Sequence, residues 1–76
     1  MSGNKVYLFI SDVPREQWDP LKRDLLSKGA VESEVVTGPY DIIATLLDLT
    51  ESEVDELAGY IRTQYRFPVI VAHTKV

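Results

Sequence analysis

Val35-Val36-Thr37-Gly38-Pro39-Tyr40-Asp41-Ile42-Ile43 joins two aliphatic runs through a turn. Glycine admits a backbone conformation that side chains resist, while proline fixes φ near about −65° and supplies no N–H. One strand therefore ends at Val36 and another begins almost at once. What lies on either side of this strand–turn–strand join decides the fold.

Upstream, Val6-Tyr7-Leu8-Phe9-Ile10 is an unbroken run of β-forming residues ended by Ser11-Asp12. It reads as a strand buried on both faces. Ser11-Asp12-Val13-Pro14 turns into a helix whose stripe is Trp18, Leu21 and Leu25, with Lys22, Arg23 and Asp24 on the other side. Pro20 disfavours a helix interior, so the reading is a short turn over 14–18 and a main helix from Pro20, capped by Asp19. Gly29 follows as the C′ residue. Ala30 to Val36 alternates, with Val31, Ser33 and Val35 on one face and Glu32 and Glu34 on the other. Charge of that kind suits a sheet edge, where it discourages further pairing.

Downstream, Tyr40 to Leu47 is apolar on both faces, Ile42, Ala44 and Leu46 opposing Ile43, Thr45 and Leu47. Thr50-Glu51-Ser52-Glu53 is a capping box. It opens a helix with Val54, Leu57, Ala58, Ile61 and Tyr65 on one stripe, acids in its first turn and Arg62 and Arg66 near its end. Tyr60 and Tyr65 lie five apart, so at most one of them is expected to face the core squarely. Phe67-Pro68 stops the helix, and Val69 to Val76 forms a last strand with His73 and Lys75 polar on one face.

The order is β-α-β-β-α-β, and the fold class is α+β: the ferredoxin-like arrangement of a four-stranded antiparallel sheet with two helices on one face. The most apolar strands, the first and third, belong at its centre. Helices cover only one sheet face, yet both central strands are apolar on two. Side chains alternate along a strand, so Tyr7, Phe9 and Ile43 are left on the uncovered face. Such a surface marks an interaction site. A second copy of the chain is its expected cover, because most soluble oligomers are symmetric.

At 76 residues the chain is one domain, and it holds no cysteine and one histidine. Disulfides and thiolate metal sites are excluded, and a protein-built zinc site has no basis. Oligomerisation is the remaining common support for so small a core. Eight basic and twelve acidic residues give a net charge of −4, which opposes a direct phosphate-backbone footprint. No apolar run reaches the roughly 20 residues that span a bilayer, and the first residues lack a secretory signal. A cytoplasmic domain, with no membrane and no direct nucleic-acid partner, is expected.

Nearly the whole chain, most specifically Val36-Thr37-Gly38-Pro39-Tyr40-Asp41-Ile42, resembles the effector-binding (RAM) domain of the leucine-responsive regulatory protein/AsnC family, through that family's Gly-x-Tyr-Asp hairpin. The resemblance implies a homodimer formed through the sheet and assembled into rings, octamers or decamers among them. It also implies a free amino acid bound between dimers. Thr37, Gly38, Tyr40 and Asp41 would line that site, with Thr74 as a further carry-over from the last strand. Two departures stand out. Phe67-Pro68-Val69 lacks the family's glycine before the last strand, and no helix-turn-helix precedes Val6. The expectation is a stand-alone module without DNA binding of its own, serving transcription regulation or amino acid metabolism, with a DNA-binding relative as a further partner.

An amino acid needs an ionised acceptor for its ammonium and N–H donors for its carboxylate. Asp41 is the hairpin's only acid, and backbone donors near Gly38 and Tyr40 could form an anion nest. The plainer reading is that Asp41 bonds turn backbone and Tyr40 packs at an interface. Glu32 and Glu34 share a strand face but read as a solvated edge, and no nucleophile–base pair is visible. The leading expectation is a non-catalytic module with no cofactor. Its rivals are a dimeric α+β barrel enzyme, drawing on Tyr7, His73 and Thr45, and an assembly module that binds no ligand.

Overall fold

The computed structural model describes residues 5–74. Strands β1 (Lys5–Ile10), β2 (Ala30–Val35), β3 (Ile42–Leu47) and β4 (Val69–His73) form one antiparallel sheet in the order β2-β3-β1-β4. The two apolar strands are central, as their composition requires. Helices α1 (Trp18–Ser27) and α2 (Glu51–Tyr60) complete the ferredoxin-like α+β order. Val6, Leu8 and Ile10 of β1, with Ile42, Ala44 and Leu46 of β3, share one core with Leu21, Leu25, Val54, Leu57 and Ile61 of the helical segments. Both helices therefore cover the same sheet face. Lys75 and Val76, placed in the last strand by the sequence pattern, lie outside the described residues.

The start of α1 differs from the expected one. A 3₁₀ turn over Arg15–Gln17 runs directly into the helix at Trp18, and Gln17, not Asp19, is the N-cap. Pro20 is then the third helical residue. The first four N–H groups of a helix have no acceptor within it, so a proline there forfeits no bond. The helix ends as expected, with Gly29 at φ +119°.

At α2, both capping-box bonds are present: Glu53 N–H donates to Thr50 Oγ1 at 3.1 Å, and Thr50 N–H donates to Glu53 Oε1 at 2.8 Å. The helix does not run on as an α-helix. Residues Ile61–Tyr65 widen into a π turn, closed by Arg66 N–H donating to Ile61 O at 3.0 Å, with Arg66 at φ +63°. Residues five apart on an α-helix diverge by about 140°, and the wider i→i+5 turn brings them back together. Tyr60 and Tyr65 accordingly point the same way, both half-buried at the margin of the core, and neither faces it squarely. Both hydroxyls donate to Asp24 Oδ2, at 2.6 and 2.8 Å.

In β2, a bulge falls between Ala30 and Glu32. Val31 is the extra residue and is 50% exposed, while Ala30 takes the buried position beside Leu46. Beyond the bulge Ser33 and Val35 face the helices, and Glu32 and Glu34 lie opposite Thr45 and Ile43 on the uncovered side.

Candidate functional site

The turn between β2 and β3 closes where Val36 N–H donates to Asp41 O and Asp41 N–H donates to Ile10 O, both at 2.9 Å. This places it at the C-terminal end of β1. Gly38 has φ +122°, and a Cβ there would meet nothing within 4 Å. The glycine answers a backbone demand rather than a lack of space. Thr37, Gly38 and Pro39 are exposed, whereas Tyr40 and Asp41 are half-buried.

Those two residues are held by different neighbours. The Tyr40 ring packs on Phe9, centroids 5.1 Å apart. Asp41 Oδ2 accepts the Val13 N–H at 2.9 Å, across 28 residues of sequence. Val13 O in turn accepts Trp18 Nε1–H at 3.0 Å, and the Arg15 guanidinium lies 5.3 Å from the Trp18 ring. The turn is thereby tied to the segment that launches α1. Nothing in the sequence signalled Val13, whose contribution is a backbone N–H. A carboxylate has about four lone-pair positions, so one bond leaves Asp41 able to accept others.

Thr74 sits elsewhere. Its N–H and hydroxyl both donate to Lys5 O, at 3.0 and 3.1 Å, at the opposite end of β1. Five strand steps separate the two ends, about 17 Å. Within one protomer Thr37, Gly38, Tyr40 and Asp41 are together and Thr74 is apart from them.

The uncovered sheet face joins these ends. Strand register sets Glu34, Ile43, Phe9 and Ile70 in one row across it, and Glu32, Thr45, Tyr7 and Ala72 in the next. Acid thus lies at the β2 margin and aliphatic residues at the β4 margin. Along β1, Lys5 Nζ lies 5.5 Å from the Tyr7 ring centre, Tyr7 6.2 Å from Phe9, and Phe9 reaches Tyr40. Tyr7, Phe9 and Ile43 are half-buried on this face, with Leu47 and Ile70 at 42% and 52% exposure.

The trio expected of a barrel-type enzyme is divided between the two faces. Tyr7 and Thr45 are opposite each other on the uncovered side. His73 pairs with Val6, which points to the helices, so its imidazole lies on the other face, exposed.

A second polar cluster joins the helices. Asp24 receives both tyrosine hydroxyls, and Lys28 Nζ stands 4.0 Å from its Oδ1 and 4.5 Å from the Tyr60 ring centre. Burial alone would raise the Asp24 pKa, but the bonds from Tyr60 and Tyr65, with Lys28 beside them, hold it below the ordinary carboxylate value. Burial and the bond to Asp24 push Tyr65 up to about 12. The bond to Asp24 is also the main cause that raises Tyr60. These are proton donors locked in their neutral form, suited to fastening helices. Beside them lies a cleft of about 380 Å³ lined by Lys28, Leu49, Glu53, Glu56, Leu57 and Tyr60. Among the described residues no helix is long and apolar enough to cross a membrane.

Fold and site together define a small ferredoxin-like domain with one open apolar sheet face and a glycine-proline turn at its rim. No protein-family model matches the chain, and no curated protein matches it.

Proposed function

We propose that the chain is a non-catalytic, self-assembling regulatory module of the RAM type, which dimerises through the open sheet face and binds a free amino acid beside the 37–41 turn. One observation carries the reading. An aromatic line from Tyr7 through Phe9 to Tyr40 runs along an uncovered apolar face and ends at the turn. Burying apolar area is the dominant favourable term in association, and a second copy offers the same surface. Lys5 and the pair Glu32 and Glu34 give that face both signs of charge, so a two-fold partner need not meet only like charge. An antiparallel two-fold stack would also carry the partner's β1 start, with its Thr74, toward the turn that holds Tyr40 and Asp41. The residues separated in one protomer would then meet across the dimer, or where dimers abut. Effector binding would favour one assembly over another, by the ligand's differential affinity for the two.

A second reading, an assembly module without a ligand, draws on the same geometry. Asp41 already has a structural partner in Val13, and Tyr40 has one in Phe9.

Asp41→Asn separates them. The amide oxygen still accepts the Val13 N–H, but the negative charge that an ammonium requires is gone. Titration calorimetry against the twenty amino acids at millimolar concentration is expected to show heat with the wild type and none with Asp41→Asn, at nearly unchanged thermal stability. Absence of heat from every amino acid with the wild type rejects effector binding. Well-folded single chains at micromolar concentration in the ultracentrifuge reject the whole proposal.

A further inference from the structure

The two margins of the sheet are built differently. On β2 the margin carries Glu32 and Glu34 and is kinked by the bulge at Val31. Charges and bulges are what proteins place on an edge to prevent pairing. On β4 the sequence is Val69-Ile70-Val71-Ala72-His73, without an acid, a lysine, a proline or a register shift among the described residues.

The free groups on β4 follow from its pairing with β1. Ser11 N–H donates to Pro68 O and Thr74 N–H donates to Lys5 O, so hydrogen-bonded pairs stand at both ends of the register. Antiparallel pairs alternate between bonded and non-bonded. Ile70 and Ala72 therefore turn their backbone groups toward β1, and Val69, Val71 and His73 turn theirs outward. The Val69 carbonyl agrees with this, for it accepts Arg62 Nη2–H at 2.7 Å from outside the sheet.

We infer that the outer edge of β4 is a strand-pairing surface whose occupant is β4 of a second copy, antiparallel and centred on Val71. That register is self-complementary. Val71 meets Val71 of the other copy, and Val69 meets His73 in both directions, so each outward N–H finds an outward C=O. A carbonyl accepts two bonds, and Val69 O can keep Arg62 while pairing. The result is an eight-stranded sheet with the guarded β2 margins at both ends. Pairing closes at two copies rather than running on into a fibre, because the opposite margin is blocked. This contact goes beyond the face-to-face dimer and is compatible with it. Two different two-fold contacts on one chain are what builds a ring.

Because the chain has no cysteine, a single Val71→Cys gives a clean test. Bonded antiparallel partners lie about 5.5 Å apart at Cα, inside the roughly 4.4–6.8 Å range of a disulfide. Under mild oxidation Val71→Cys is expected to form a covalent dimer about tenfold or more faster than Val35→Cys, which sits on the guarded margin but on the helix-facing side. A rate no greater than that of Val35→Cys overturns the inference. Val71→Pro is the second arm, since Val71 N–H takes no part in the β1 ladder and edges tolerate proline. With unchanged circular dichroism it should halve the mass of the assembled species in sedimentation velocity, and an unchanged mass overturns the inference as well. Phe9→Ser, which damages only the open face, should leave the Val71→Cys cross-linking rate as it was. Failure of the face-to-face reading is thereby distinguished from failure of this one.

Discussion

Tyr7 and Leu8 are neighbours on β1, yet one lies half-covered on the open face and the other has no exposed surface beneath the helices. Both sheet faces are apolar in composition. Only one is closed by the chain's own helices, with Leu8, Ile10, Ile42 and Leu46 all fully buried. The other carries tilted aromatic contacts, Tyr7 on Phe9 and Phe9 on Tyr40. The difference teaches that hydrophobicity along a strand measures how much surface must be hidden, not which molecule hides it. The closed face stabilises the protomer, and the open face is the surface we propose for association.

The largest test of that contrast is Leu8→Ala. Deleting a fully buried leucine costs about 2–5 kcal/mol, comparable to the entire stability of a domain this small. Urea denaturation followed by circular dichroism should find the variant mostly unfolded at room temperature.

Next in size is Asp24→Ala, which strips the acceptor from two tyrosine hydroxyls on the helical side. Hydrogen bonds to a charged group are worth about 1.5–3 kcal/mol each, discounted here by partial solvent access to about 1–3 kcal/mol in total. The same group gives a pH signature. Its folded-state pKa lies below the ordinary value of 3.8, so its stabilisation is complete above that value and disappears as pH falls through the lower one. Acid unfolding curves of the wild type should steepen in that window, and those of Asp24→Asn should not. At the alkaline end the sign reverses. Tyr65, raised to about 12, contributes below its ordinary value of 10.0 and ceases to contribute as pH climbs through about 12.

Asp41→Ala comes third. It removes one bond to Val13 N–H and loosens the launch of α1, at about 1–2 kcal/mol. Hydrogen exchange should show the loss at Val13 and not in α2. The smallest effect on the protomer belongs to Ile70→Thr on the open face. A residue 52% exposed should change unfolding free energy by only about 0.5 kcal/mol, while sedimentation equilibrium shows weaker self-association. If Ile70→Thr and Leu8→Ala were to destabilise the protomer equally, the two faces would not differ as described.

Several elements were legible before any coordinates. The Thr50–Glu53 capping box, Gly29 past the end of α1 and the central places of β1 and β3 are local chemistry or simple period, and they stand. The beginning of α1 differs from the sequence expectation because Pro20 falls in the first turn, where a proline is tolerated, and not in the helix interior. The joint orientation of Tyr60 and Tyr65 is not legible in an α-helical period, because the segment that joins them is a π turn. Of the candidate site, the strand–turn–strand join and its glycine were readable. That Asp41 reaches Val13, and that Thr74 lies at the far end of β1, were not.

Sequence by itself determined the order of elements, the central strands and the excess of apolar sheet surface, because alternation and end signals act between residues close along the chain. Tertiary structure alone decided which carboxylate meets which donor: Asp24 with two tyrosines, Asp41 with a backbone N–H. Such bonds depend on helix phase and strand register summed over tens of residues, and one widened turn or one bulge changes them.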